Sequence, residues 1–311
     1  MFRRTFSAAL MTSVATAATR AAAQTATQPA AQPAAMPPAP PARAGSTAPA
    51  KWTRETYIAA MQASGRPHEI SAATFDAIQK RREAALGHID RYLAQRFGKT
   101  DTAVLKAFAE LPREYFHYHY ADKRPLGAEA YEAEAKPWAI GYGSALSDYL
   151  GQAYMTQAGA PKPTDVVLEI GTGSGFQSAL LSRIVKSVYS IEIIEPLGKA
   201  VAGIYKPIAI DNVATRVGDG FFGWPEVDGG FDIIIVTCAA QYVPPALFKQ
   251  LKPGGRMLIP IGQPFKRGQF LFIYTKDAEG KVTSRKDVGV FFIPMTGAMM
   301  KAQTAASEPK Q

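Results

Sequence analysis

Glu169 and the glycines at 171, 173 and 175 stand together in the run VVLEIGTGSGFQS, residues 166–178, with Thr172 between the first two glycines. Glycine at alternate positions lets a backbone bend tightly and approach a ligand where a Cβ would collide. A helix beginning at Phe176 would turn the free N–H groups of its first turn toward that ligand. A dinucleotide loop, G-x-G-x-x-G, would need glycine at 176, where Phe176 stands. The pattern is instead E-x-G-x-G-x-G, and a carboxylate beside such a turn suits a cationic or hydroxyl-bearing ligand better than a pyrophosphate. Two more acids follow at intervals. Glu192 lies about 20 residues beyond the loop, where an acid at the end of a second strand accepts from ribose hydroxyls. Asp219-Gly220 follows a third apolar stretch, where Asp219 either accepts from an adenine amino group or simply makes a turn.

These residues need elements to hold them. Val166–Ile170 is an apolar run that stops at the glycines, and helix-compatible sequence follows to about Val185. Apolar strands are expected again at 187–191, 213–217, 231–236 and 257–261, separated by helices at 196–205 and 243–251. FDIIIV, residues 231–236, reads as a strand buried on both faces. Segments 270–274 and 288–293 read as a closing antiparallel pair. The expected fold is therefore α/β: a doubly wound, Rossmann-like sheet, mostly parallel, preceded by a helical subdomain. Upstream, helices are expected over 52–85 and 89–111, with Gly87 and the stretch at 98–101 as punctuation. The stretch AIGYGSALS, 139–147, then precedes a helix at 149–157, with Ser147 and Asp148 where an N-cap would fall. Capping explains one of these residues but not the glycines.

The 311 residues are 47% hydrophobic and 20% charged, ordinary for a globular chain. The net charge is +9, but four arginines and no acid lie in the first 50 residues. Elsewhere 31 basic residues face 26 acidic ones, and no Lys/Arg stripe interleaves with aromatics. Nucleic-acid binding is therefore not expected, nor is a membrane span, since no apolar run reaches roughly 18 residues. The single Cys238 excludes an intramolecular disulfide and a cysteine-based metal site. It reads as a buried filler. His117 and His119 flank Tyr118, but two ligands without a nearby third read as packing or surface residues, so no metal is expected.

Phe2-Arg3-Arg4, a weakly apolar stretch to Ala18 and Ala21-Ala22-Ala23 have the layout of a secretory signal peptide over residues 1–23. That layout points to export to the periplasm; the competing reading is an alanine-rich tail. Residues 24–50, mostly Ala, Pro, Gln and Thr, read as a flexible linker. The remaining boundaries are a helical subdomain with the 144–149 loop over 51–160, the sheet domain over 161–297, and a flexible tail over 298–311.

Taken together, IGYGSALS (140–147), VLEIGTGSGFQ (167–177), VYSIEII (188–194), GDG with GWPE (218–226), FDIIIVTCAA (231–240), LKPGGRMLIPIG (251–262) and FIPMTG (292–297) resemble the protein-L-isoaspartate O-methyltransferases. The resemblance covers roughly residues 100–297. It implies S-adenosylmethionine as methyl donor and the α-carboxylate of an L-isoaspartyl residue in a damaged protein as acceptor. It also implies a donor site formed by Glu169, Gly171, Thr172, Gly173, Gly175, Glu192, Asp219 and Gly220. Glu169 and the loop would face the donor's methionine part, Glu192 its ribose and Asp219 its adenine. Ser147 falls on the family's active-site serine, with Ser144 as its aid. A monomer and a cytoplasmic location, where this donor is made, are the further implications; the second competes with the export layout.

The chain departs from the family in its export layout and, within the site, at one place. The acceptor loop there usually reads Gln-Thr-Ile-Ser and, one residue on, Pro. Here it reads Ser144-Ala145-Leu146-Ser147 with Tyr149 in the proline position. Two alternatives to isoaspartyl repair follow: a different carboxylate or small-molecule acceptor, or a homologue that binds the donor without turnover.

Overall fold

The computed structural model describes residues 52–66, 69–264 and 268–300. The expected signal peptide, the linker and residues 301–311 of the expected tail lie outside them. Four helices open the described chain: α1 (Arg54–Ala63), α2 (Ala72–Phe97), α3 (Thr102–Glu110) and the short α4 (Arg113–Phe116). The breaks differ from the expected ones. Gly87 sits inside α2, because Ile78, Arg82, Ala85, Ile89 and Leu93 keep one buried stripe running past it. The chain turns instead at Gly65 and at Gly98, which end α1 and α2 with left-handed backbone (φ 72° and 79°). Asp101 then caps α3, accepting from the Ala103 and Val104 N–H groups.

Two small antiparallel pairs follow: β1 (Tyr118–His119) with β2 (Arg124–Pro125), and β3 (Trp138–Gly141) with β4 (Ser144–Leu146). The second pair is a hairpin whose tip carries three successive positive φ values, at Gly141, Tyr142 and Gly143. Helix α5 (Tyr149–Ala158) leads into the main sheet. Its strands are β5 (Val166–Ile170), β6 (Ser187–Glu192), β7 (Val213–Val217), β8 (Phe231–Val236), β9 (Leu251–Ile261), β10 (Gln269–Lys276) and β11 (Val282–Val290). Helices α6 (Phe176–Ser182), α7 (Glu195–Ala202) and α8 (Pro245–Gln250) connect them.

The spatial order is β11-β10-β9-β8-β5-β6-β7. The five strands from β9 to β7 run parallel, and β10 and β11 close the edge antiparallel. Alternate residues of the central strands face two cores, as the strand period requires. Val167, Ile233 and Ile235 pack toward α6 and the helical lead-in. Leu168, Ile170, Ile234 and Val236 pack toward Trp224 and Leu247 on the other face. The strand order reverses beside β5, so the carboxyl ends of β5, β6 and β8 flank a crevice at the switch point, where ligands bind in such sheets.

The first residues of the expected tail, 298–300, are described, and the segment leading to them packs on the sheet. After β11 the chain returns to the sheet: the Ala239 N–H donates to the Ile293 carbonyl and the Met295 N–H to the Ala239 carbonyl, both at 2.8 Å. Met295 and Met299 are buried in the second core. Burying a methionine contributes roughly 1.5–3 kcal/mol, enough to hold a short segment down. Among the described residues, no helix is long and apolar enough to cross a membrane.

Candidate active site

Each turn of the glycine loop has its own physical reason. Gly171 (φ 97°) lies under Thr237: a Cβ there would sit 2.5 Å from the Thr237 hydroxyl, which donates to the carbonyls of Ile170 and Gly171. Gly175 (φ 81°) is hemmed in by Tyr205 and Val201. Both are required by neighbouring protein atoms. Gly173 (φ 54°) differs. The nearest atoms to its Cβ position are Ser144 Oγ at 3.8 Å and the Ala145 carbonyl at 3.9 Å. The glycine loop and the β3–β4 hairpin therefore face each other at Gly173.

The three acids occupy different environments. Glu192, at the carboxyl end of β6, accepts from Gly173 N–H at 2.8 Å and Ile194 N–H at 3.0 Å. Burial raises its pKa, and these backbone bonds oppose the rise. Asp219 follows β7; it accepts from Phe221 N–H at 2.9 Å and Ala298 N–H at 2.7 Å. Gly297 lies against it, since a Cβ there would meet the Asp219 carboxylate at 2.3 Å. Gly220 packs on Ile170, where an added Cβ would lie 2.3 Å from the Ile170 Cγ2. Cys238 lies between Glu192 and Asp219. Burial, and then their two charges, push its thiol up, which keeps it protonated and unreactive.

Glu169 is the exception among the expected donor residues. It is fully buried beneath the loop, where the Ser190 hydroxyl donates to its Oε2. Ser190 in turn bonds the Thr172 hydroxyl at 2.7 Å. Its Oε1 has no partner among the described residues, and burial pushes its pKa up to about 8, so it is protonated at neutral pH. Glu169 and Thr172 thus brace the loop from behind.

The hairpin side rests on Arg113, which is 2% exposed. Its guanidinium donates to the Ser147 carbonyl (2.7 Å), the Ala130 carbonyl (3.0 Å) and Gln152 Oε1 (2.5 Å). It also lies 5.1 Å from the centre of the Phe176 ring. Phe176 is fully buried, edge-on to Phe108 and Phe116, so the first residue of α6 locks the loop to the helical lead-in. The cap of α5 is Asp148, which accepts from Gly151 N–H at 2.7 Å, so Ser147 is left outside the capping bond. Ser144 is buried, 7% exposed, on β4.

The sequence model of the protein-L-isoaspartate(D-aspartate) O-methyltransferase family matches residues 88–300. A protein-L-isoaspartate O-methyltransferase of Nitrosospira multiformis is 41% identical over 250 residues, covering 79% of this chain and 98% of its own. One from Syntrophobacter fumaroxidans is 44% identical over 209 residues, covering 67% and 81%. The chain belongs to the protein-L-isoaspartate O-methyltransferase family. A solved family structure superimposes with a TM-score of 0.60 at 28% identity, covering 70% of this chain and 67% of that one. A Plasmodium falciparum structure described as a complex with S-adenosyl-L-homocysteine shares the fold, with a TM-score of 0.55 at 20% identity, over 67% and 97% of the two chains.

The methyltransferase's departure at position 149 has a local explanation. The Tyr149 ring is buried and points into the helical lead-in. It meets His88 of α2 edge-on at 6.1 Å, and its hydroxyl donates to the Glu132 carbonyl at 3.1 Å. An anchored ring replaces a fixed turn. His117 is buried against Trp138 of the hairpin, and His119 pairs with Asp122. Among the described residues, no cluster of three or more His, Cys, Asp or Glu side chains could hold a metal ion. Two contributors were not legible in the sequence. Arg113 has no motif around it, and Ala298, which tethers Asp219 through its backbone, has no side-chain signal at all.

Proposed function

We propose that this methyltransferase moves a methyl group from S-adenosylmethionine to the α-carboxylate of L-isoaspartyl residues in damaged proteins, and that the two faces meeting at Gly173 divide the work. The observation that carries this is the approach of Ser144 and Ala145 to the Gly173 turn, which sets an acceptor loop against a donor loop. The residues at hand fit the donor. The open side of Gly173 offers it backbone, and the carboxylates of Glu192 and Asp219 end adjacent strands at the same edge. Exposed Ile193 supplies an apolar surface between them. Glu192 would accept from the ribose hydroxyls and Asp219 from the adenine amino group.

The donor supplies a methyl group on a cationic sulfonium. A carboxylate oxygen forms a bond to the methyl carbon as the sulfur–methyl bond breaks, and the electron pair stays on sulfur as a neutral thioether. No proton moves. An acceptor carboxyl with a reference pKa of roughly 3.5 is already ionised, so no general base is needed. What the chain must do is align and dehydrate the carboxylate. Ser147, aided by Ser144, would orient it by hydrogen bonds.

The full-length protein with labelled S-adenosylmethionine and two matched peptides, one isoaspartyl and one aspartyl, tests the reading. Label on the isoaspartyl peptide alone is the expected result. Label on neither peptide, with donor binding intact, would move the reading to a different carboxylate acceptor, which the altered residues Ala145 and Tyr149 would then explain.

A further inference from the structure

Arg113 is a buried cation placed directly behind the acceptor loop. It makes no ion pair among the described residues. All three of its hydrogen-bond acceptors are neutral: two backbone carbonyls and the Gln152 amide. Burying a charge is costly, and proteins normally neutralise it with a carboxylate. The acids nearby are engaged otherwise. Glu114 accepts from Trp52, Gln79 and Tyr131. Asp148 acts on Arg113 only through space, while its Oδ1 caps α5. Burial lowers the guanidinium pKa to about 10, which still leaves it charged at neutral pH.

The position of this charge is specific. One N–H holds the main chain of Ser147, the residue assigned to the acceptor carboxylate, and the ring beneath the guanidinium opens the donor helix. A second buried chain runs from the backbone of the same residue: the Thr156 hydroxyl donates to the Gln152 main-chain carbonyl and accepts from the Gln177 side-chain amide. Arg113 therefore touches both loops while reaching neither ligand.

We propose that Arg113 is a positioning and specificity-determining residue whose unneutralised charge, set behind Ser147, draws an anionic acceptor into the site. Among the described residues no anion is hydrogen-bonded to it, and beyond the through-space pull of Asp148 the anion it acts on is the substrate's carboxylate. This inference rests on the acceptor reading above.

The decisive variant is Gln152→Glu in the full-length protein. It keeps the hydrogen-bond fork and gives Arg113 an internal anion. The measurements are KM and kcat for an isoaspartyl peptide, donor Kd by calorimetry, and Tm. KM should rise about tenfold, the scale of neutralising one through-space charge in the protein interior, with donor Kd within about twofold and Tm not lowered. Arg113→Lys should hold KM nearer the wild-type value than Arg113→Met. Affinity for the neutral isoasparaginyl peptide, measured with S-adenosylhomocysteine present, should not change in Gln152→Glu. An unchanged KM for the isoaspartyl peptide in that variant overturns the proposal, and so does a parallel loss for both peptides. Should Arg113→Met fail to fold, Gln152→Glu alone still decides. Failure of the wild-type protein to methylate the isoaspartyl peptide would refute the acceptor reading instead, a different outcome.

Discussion

Glu192 and Asp219 stand at the ends of parallel strands whose neighbours fix their height. Ser144 and Ser147 stand on and just after a two-stranded hairpin with three consecutive left-handed residues at its tip. The first region inherits its geometry from a sheet: five parallel strands, the central ones buried on both faces, define where the carboxyl ends fall. The second has no sheet beneath it. It is held by one buried guanidinium, one anchored tyrosine and contact with Gly173. On the proposed assignment, donor recognition would be a property of the fold and acceptor recognition a property of a few side chains. The chain varies from its family in the second region and keeps to it in the first.

The largest effect should come from breaking the sheet-borne half. Gly171→Ala places a Cβ 2.5 Å from the Thr237 hydroxyl at φ 97°. Strain plus overpacking should cost roughly 2–5 kcal/mol. A fall in Tm together with weaker donor binding is expected; unchanged thermal melting would show that the loop is softer than its packing implies. Next, Ser147→Ala should lower turnover about 10- to 150-fold, the equivalent of about 1.5–3 kcal/mol, and leave donor Kd nearly unchanged. If donor Kd moved by a similar factor, the two halves would not be separable.

Glu169→Gln probes the brace beneath the loop. The native carboxyl holds its proton to about pH 8, whereas the unfolded one releases it near the ordinary value of 4.5. Between those values the native state binds more protons, so stability falls as pH rises, by up to about 1.4 kcal/mol per pH unit. Glutamine removes that slope. The stability difference between variant and wild type, followed by denaturant titration, should therefore grow in the variant's favour from pH 5 to pH 8. A difference independent of pH would show that Glu169 is ionised in the folded protein. The smallest change should be Tyr149→Phe, which loses the bond to the Glu132 carbonyl. It should cost about 0.5–1.5 kcal/mol of stability and raise the acceptor KM more than the donor Kd; the reverse pattern would place Tyr149 in the donor half.

The parallel strands were legible because continuous apolar runs such as FDIIIV stop at glycines or acids, and that period survives burial. β9 and β11 proved longer than their apolar cores, because ladder pairing continues through residues such as Arg256, Arg285 and Lys286 that no hydrophobic pattern marks. The helix breaks were misplaced for the opposite reason: Gly87 costs little in a helix whose buried stripe continues. Glu169 was legible as an acid beside the loop, but not its direction, which depends on Ser190 from the next strand. Arg113 and Ala298 could not be read at all. One acts through a carbonyl 34 residues away and the other through an N–H 79 residues from its acceptor.

The Asp219–Ala298 bond bears on biosynthesis. A nascent chain that has emerged as far as β9 already carries both loops, both serines and both strand-end carboxylates. Asp219 at that stage has no Ala298 N–H to hold it, because the residues that close the second core over β8 are still to be added. On the proposed assignment of Asp219, the adenine end would be finished by almost the last described piece of the polypeptide. Binding competence therefore arrives late in translation, and a product that stops short of Gly297 would have a complete-looking motif set and an unfinished pocket.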